Sequence, residues 1–332
     1  MPSGARLPAL QPFDLADLPS GLAGGVVAVG NFDGVHRGHA ALLAATRRMA
    51  SEMAVPAVVL TFEPHPRTLF RPETPVFRLT PLAAKARLLK AIGLDGLAVA
   101  AFDRAFAAIP AAEFVERILV DRLKLKAAIV GFNFHFGQGR KGTPAVLADA
   151  GRRLGFAVTV FDEISGDAGE PVSSSAIRDC LAAGDIAGAN RKLGYRWFVL
   201  GEVVAGDRRG RELGFPTANI RLGSDCRLRH GIYAVRMQRA GGEVLSGVAS
   251  FGRRPTFGGG PPVLEVFLFD FSGDLYGEEV AVSFADWIRP ELTFSGAAEL
   301  IAAMDRDSAS ARDILATAGP GSDLDETLAG MA

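Results

Sequence analysis

The stretch VVAVGNFDGVHRGHAALLAATRRMA, residues 26–50, decides the fold. An apolar run ends at Gly30, a glycine-bearing loop follows, and a helix-like pattern then begins. Two of the chain's five histidines, His36 and His39, stand three apart where the helix starts, a spacing that puts both on one helix face. Gly34 and Gly38 let the backbone approach a ligand closely, and the exposed N–H groups of a helix start favour a phosphate. Gly30, Asn31, Phe32, Asp33, Gly34 and Gly38 therefore form a candidate nucleotide cradle. A plain strand-to-helix turn with two solvent-exposed histidines fits the same residues.

Outward from this stretch the chain alternates. Apolar runs VVAVG, AVVLTF, GLAVAAF, AAIVGF and FAVTVF are separated by helical stretches such as TPLAAKARLLKAIG and AAEFVERILVDRL. Strands buried on both faces read as near-continuous apolar runs, so residues 25–187 are expected to form a doubly wound parallel sheet domain of the α/β class. In such folds ligands bind beyond the carboxyl ends of the strands, where the histidine loop falls. After SSSAIRDCLAAGDIAGANRKLG the texture becomes short β-rich runs between turns: FVLGEVVAG, GIYAVRM, EVLSGVAS, VLEVFLFDF and EEVAVSF. Residues 188–318 are read as a mainly-β barrel closed by a C-terminal helix. Residues 1–24 read as an extension and 319–332 as a flexible tail.

Composition narrows the function classes. The 332 residues carry a formal charge of -1, which argues against a polyanion binder resting on many phosphate contacts, so nucleic acid is an unpromising partner. Small molecules are the expected partners. No apolar stretch approaches the roughly 18–20 residues that span a bilayer, and a cytoplasmic protein is expected. Cys180 and Cys226 form no C-x-x-C and read as reduced thiols.

FDGVHRGHAALL resembles the H-x-G-H signature of nucleotidyltransferases. TFEPHPR (61–67), GFNFHFGQGRKG (131–142) and VSSSAIR (172–178) follow in order, and together they resemble the bacterial bifunctional riboflavin kinase and FAD synthetase family. The resemblance implies a nucleotidyltransferase-type sheet domain that adenylylates FMN to FAD with release of pyrophosphate. It implies that His36 and His39 contact the ATP phosphates, with Ser173, Ser174 and Arg178 closing on the nucleotide. An arginine fork suits phosphate oxygens. The flavin-side contacts carried over are Phe62, Pro64, His65, Pro66 and Asn133. Phe132, Phe134 and Phe136, at alternate positions, suit either a flavin stack or the core.

GDRRGRELGFPTANI, residues 206–220, resembles the riboflavin kinase signature of the same family. There is no P-loop, since GQGRKGT lacks the G-x-x-x-x-G-K-[ST] spacing, and the nucleotide loop would be Gly206, Arg211, Gly214, Phe215 and Pro216. The resemblance makes Thr217 and Asn219 ligands of Mg²⁺, a cation that takes oxygen donors and shares its shell with substrate phosphates. Two apart, they would share a face of an extended strand. In VLEVFLFDF the alternation puts Glu265 with Val263, Phe267 and Phe269, and the resemblance makes it the general base that takes a proton from the ribityl hydroxyl of riboflavin. Arg289 and Phe294 match flavin-site positions, and Ser250 stands where relatives carry Asn. The implied substrates are ATP, riboflavin and FMN, and the product FAD. Rival readings are another nucleotidyltransferase, such as a cytidylyltransferase, fused to a barrel, and a flavin-storage protein without turnover.

Overall fold

The computed structural model describes residues 7, 9–162, 172–206, 214–252, 262–319 and 321–331. The chain forms two compact units, one of Ala9–Val76 and Thr80–Ser173, the other of Met1–Pro8, Phe77–Leu79 and Ser174–Ala332.

The first, N-terminal unit is built on six parallel strands in the order β1-β4-β3-β2-β5-β6. These are β1 (Pro12–Asp14), β2 (Val26–Val29), β3 (Ala57–Glu63), β4 (Gly96–Ala101), β5 (Ala127–Gly131) and β6 (Ala157–Phe161). The expected doubly wound sheet is present, and it gains β1, a short strand from the stretch read as an extension. Its central strands are apolar because both faces are covered: all four residues of β2 and the first six of β3 are buried. The edge strand β6 has one neighbour and stays partly exposed.

Helices α1 (Arg37–Glu52), α2 (Pro66–Phe70), α3 (Leu82–Ile92), α4 (Arg104–Ala107), α5 (Ala111–Glu113) and α6 (Pro144–Leu154) fill the intervals, with α5 continuing as π-helix over Phe114–Arg122. Helix α1 buries Leu42, Leu43, Thr46 and Ala50, a stripe that recurs at the helical period. Strand β2 lies between β3 and β5, so the chain leaves its carboxyl end at the switch point of the sheet, where Gly30–His36 sits.

The C-terminal unit opens with α7 (Ser174–Ala183) and α8 (Ile186–Leu193). These helices belong with the barrel by their contacts: Asn190 Nδ2 donates to Phe284 O at 3.0 Å and Asn190 Oδ1 accepts from Trp197 N at 2.8 Å. Strands β7 (Phe198–Val204), β8 (Thr217–Arg221), β9 (Gly231–Gln238), β10 (Val244–Gly252), β11 (Val263–Leu268) and β12 (Glu279–Arg289) close an antiparallel barrel in the order β10-β11-β8-β7-β12-β9. Full closure leaves no open sheet edge. Helix α9 (Ala297–Thr317) lays Ala311 and Leu315 on the outer face of the barrel, against Ala234, Val248 and Phe269. Cys180 and Cys226 are free thiols.

The segment read as a flexible tail contains a helix instead, α10 (Asp323–Gly330). Ser322 and Asp325 form a capping box, Asp325 also accepts from Arg196 N at 2.8 Å, and Gln238 Nε2 donates to Leu328 O and Ala329 O at 3.0 Å. Glycine-rich composition hid a start signal that was legible, a serine followed three residues on by a carboxylate.

Both tryptophans, Trp197 and Trp287, lie in the C-terminal unit, so their fluorescence reports its unfolding alone. Ser322→Ala is expected to lower that unit's stability by about 1 kcal/mol in a urea titration. An unchanged midpoint would mean that the cap does not hold α10 to the barrel unit.

Candidate active sites

The loop after β2 turns through three left-handed residues, Phe32 (φ 46°), Gly34 (φ 88°) and Val35 (φ 41°). Such angles are unfavourable for a β-branched residue, and Val35 holds one while fully buried. Thr80 supplies part of the restraint. Its N–H donates to Asp33 Oδ1 at 3.0 Å and its hydroxyl accepts from Gly34 N at 2.8 Å.

The loop delivers His36 to the N-cap of α1 and His39 to the third residue of the helix, so the two rings lie on one side and stack, centroids 3.7 Å apart and 20° from parallel. The expected shared face is realised as ring-on-ring contact. Phe32 meets His39 edge-on at 5.2 Å. His36 Nδ1 accepts from His39 N at 3.4 Å, which places the neutral ring's proton on Nε2.

Burial pushes the His36 imidazole down to about 4, against a smaller upward pull from Asp33. His39 is held well below the usual histidine range by burial, then by His36 and Lys85. The pair is therefore two neutral rings, and His39 Nδ1 is buried with no hydrogen-bond partner among the described residues. Gly38 is in the first turn of α1, and Asn31 closes the cradle, its side-chain Oδ1 buried with no hydrogen-bond partner among the described residues.

The residues expected on the flavin side divide. Phe62 turns into the core, ring against Phe102 and Phe106 at 5.9 Å. Glu63–Pro64 is a cis peptide, and His65 caps α2, accepting from Arg67 N at 3.2 Å, with Pro66 the first residue of that helix. Asn133 is exposed, and its carbonyl lies 2.9 Å from His135 Nδ1. Phe132 is exposed, whereas Phe136 is buried and stacks on Phe134 at 5.4 Å, so the alternate aromatics split between surface and core. Ser173 ends the N-terminal unit. Ser174 and Arg178 stand on α7 in the other, where Arg178 Nε donates to Phe77 O at 2.7 Å.

In the C-terminal unit the site is assembled by strand register. Asn219 lies opposite Glu265 and Thr217 opposite Phe267 between β8 and β11, and Ser250 lies opposite Glu265 between β10 and β11. Residues directly opposite in an antiparallel pair share a face, so Thr217, Asn219, Glu265, Phe267 and Ser250 form one contiguous patch. The alternate residues Ala218, Ile220, Leu264 and Val266 are buried on the other face. The expected neighbours of Glu265 hold: Val263 and Phe267 share its half-buried face, and Phe269, just past the strand, is 6.0 Å from Phe267.

Asn219 is 5% exposed and its Nδ2 donates to Thr217 O at 3.2 Å, fixing the amide. Gly206 is needed beside it, since a Cβ there would sit 2.5 Å from that amide nitrogen. Gly214 has φ 87°, Phe215 packs edge-on to Phe267 at 5.0 Å, and Pro216 is exposed. Arg211 lies outside the described residues. Arg289 forks onto Asp307 of α9 at 2.8 and 2.6 Å, with Phe294 5.9 Å from the guanidinium.

Residues that the sequence reading passed over are Thr61, Thr80 and Lys85, which hold the Gly30–His36 loop from behind. Their one signal was a lysine on the apolar stripe of α3, in line with Leu82 and Leu89.

Residues 19–176 match the FAD synthetase family and residues 193–315 the riboflavin kinase family. Relatives described as bifunctional riboflavin kinase/FMN adenylyltransferase include one from Escherichia coli (strain K12), 40% identical over 90% of this chain and 95% of its own. One from Pseudomonas fluorescens is 42% identical, covering 88% and 94%, and one from Bacillus subtilis is 35% identical, covering 85% and 90%. A crystal structure described as a macrolide-efflux protein from Streptococcus pneumoniae shares the fold at a TM-score of 0.80 and 29% identity, covering 92% of this chain and 99% of that one. No helix among the described residues is long and apolar enough to cross a membrane. Two family matches in tandem, with relatives this similar along nearly their whole length, show that the chain belongs to the family of bifunctional riboflavin kinase/FMN adenylyltransferase enzymes, with the FAD synthetase region ahead of the riboflavin kinase region.

Proposed function

We propose that His36 and His39 serve the adenylylation of FMN, and that Glu265, Thr217 and Asn219 serve the phosphorylation of riboflavin. The observation that carries the second assignment is the register that sets Glu265 across from Asn219 and diagonal to Thr217, which faces Phe267 two residues further along β11. A terminal ribityl hydroxyl beside Glu265 attacks the γ-phosphorus of ATP, its proton passes to the carboxylate, and ADP leaves. General-base help of this kind contributes about 10²–10⁴ in rate.

The donors next to the base are a hydroxyl and an amide oxygen, the hard oxygen ligands that suit Mg²⁺. The amide is held by Thr217 O, and any side chain at Gly206 would displace it, so it meets a cation without rearranging. When bound, Mg²⁺ offsets the charge of the nucleotide phosphates. Thr217 and Asn219 hold it, and Gly206, Gly214, Phe215 and Pro216 border the same patch.

In the N-terminal unit a phosphate oxygen of FMN attacks the α-phosphorus of ATP and pyrophosphate leaves. Negative charge accumulates on the α-phosphate oxygens, and preorganised donors aimed at such oxygens are the largest contribution a protein makes to this chemistry. His36 offers Nε2–H, and both rings gain affinity for a proton as the polyanion arrives. The Glu63–Pro66 segment and Asn133 border the flavin side. Ser173, Ser174 and Arg178 are assigned to the nucleotide by family resemblance alone. The small substrates of this chemistry fit a cytoplasmic enzyme, as the bacterial relatives' activity implies.

Glu265→Gln is expected to lower FMN formation from riboflavin by about 10²–10⁴ while leaving FAD formation from FMN unchanged. His36→Asn, which keeps a helix-capping acceptor, is expected to lower FAD formation by about 10² and spare FMN formation. Chromatography of the flavin products from each variant reads both steps. Loss of both activities in a folded variant contradicts this division of labour.

The depressed imidazoles also set a pH dependence. Above pH 6.5 His36 is neutral whether folded or unfolded. Below it the unfolded chain takes up a proton that the folded one refuses until about pH 4, so stability falls as pH falls through that window, by on the order of 3 kcal/mol from His36. His36→Asn is expected to flatten the slope of urea-unfolding free energy against pH between those limits. An identical slope would show that His36 titrates in the folded protein as it does in the unfolded chain.

A further inference from the structure

Helix α3 buries six consecutive residues, Ala84–Leu89, and Lys85 among them is 2% exposed. A buried ammonium is costly unless hydrogen bonds and a counter-charge compensate. Here the partners are specific. Lys85 Nζ donates to Asn31 O at 2.7 Å and to Thr61 Oγ1 at 3.0 Å, and Glu63 Oε1 lies 3.7 Å away. Thr61 in turn donates its hydroxyl to Asn31 O at 3.2 Å.

The Asn31 carbonyl is therefore gripped from α3 and β3 at once, immediately before the left-handed Phe32 that turns the chain toward His36. Glu63 ends β3 and leads directly into Pro64 and His65. One side chain thus reaches the root of the nucleotide loop and the root of the flavin-side segment. Thr80, five residues earlier, grips the same nucleotide loop at Asp33 and Gly34. Residues 80–85 hold the loop at two points.

We propose that Lys85 is a positioning residue for adenylyl transfer, tying the nucleotide loop at Asn31 to the flavin-side strand end at Thr61 and Glu63 so that the two substrates are held in register. It touches neither substrate and acts through the backbone carbonyl and the strand end. The inference rests on the assignment of His36 and His39 to the nucleotide and of the Glu63–Pro66 segment to the flavin.

The test uses the full chain and steady-state FAD synthesis with ATP and FMN varied separately. Lys85→Met keeps most of the side-chain volume and removes the charge and the donors. It is expected to raise the KM for both ATP and FMN and to lower kcat/KM by about tenfold to a hundredfold, the scale of a misplaced reacting group. Thr61→Val, a milder change that keeps the shape, is expected to raise the ATP KM about fivefold, the scale of one lost hydrogen bond, and it carries the test if Lys85→Met does not fold. Riboflavin phosphorylation by the same preparations serves as the internal reference. Wild-type KM values in both variants, or a fall in kcat that only tracks the folded fraction, would overturn the inference. If His36→Asn also left FAD synthesis intact, the assignment of the nucleotide site itself would fail. An impaired His36→Asn beside unimpaired Lys85→Met and Thr61→Val would refute the positioning role alone.

Discussion

The N-terminal unit depends on a loop, Gly30–His36, that must be bent against its own preference and kept there. Phe32, Gly34 and Val35 are all left-handed, and two of them have side chains that resist it. The bend persists because polar groups from elsewhere in the unit grip it, with Asp33 and Gly34 bonded to Thr80 and the Asn31 carbonyl to Thr61 and Lys85. The return is a helix start whose first turn carries two stacked imidazoles, buried enough to be neutral. Neutral rings need not repel each other, and under the assignment proposed above a polyphosphate would supply the charge that lets them act as donors or as acids. An exposed, ionised pair would repel at the same separation.

The barrel solves the opposite problem. Three strands in antiparallel register bring Asn219, Glu265 and Ser250 into one row, and Thr217 and Phe267 into the next. A slip of one residue in β11 would turn Glu265 to the buried face and Val266 outward. The apolar alternation on the inner face, Leu264, Val266 and Leu268 against Ala218 and Ile220, forbids that slip, so the packed core guarantees the position of Glu265.

Local signals were legible and non-local ones were not. The apolar runs announced the central strands because β2 and β3 are covered on both faces, and the H-x-G-H spacing announced the shared face because a capping residue and the third helical residue always lie together. The alternation around Glu265 gave its face. Its partners across the barrel could not be read, because register is set by strands dozens of residues away. The same limit hid Lys85: in sequence it is one lysine in an apolar helix, and only the sheet it packs on gives it Asn31 and Thr61 as partners. Strand β1 escaped notice because three residues carry too little pattern. Helix α10 was missed because the glycines around it, Gly319, Gly321 and Gly330, outweighed the Ser322–Asp325 cap.

The account stands on the His36 ring being neutral in the free enzyme, with Nδ1 occupied by the helix backbone and the proton on Nε2. Imidazole ¹⁵N chemical shifts of ligand-free protein labelled at histidine measure this directly. At pH 6 the account predicts a neutral ring with a pyridine-like Nδ1 and a protonated Nε2. An imidazolium signature at that pH, or the proton on Nδ1, would contradict it.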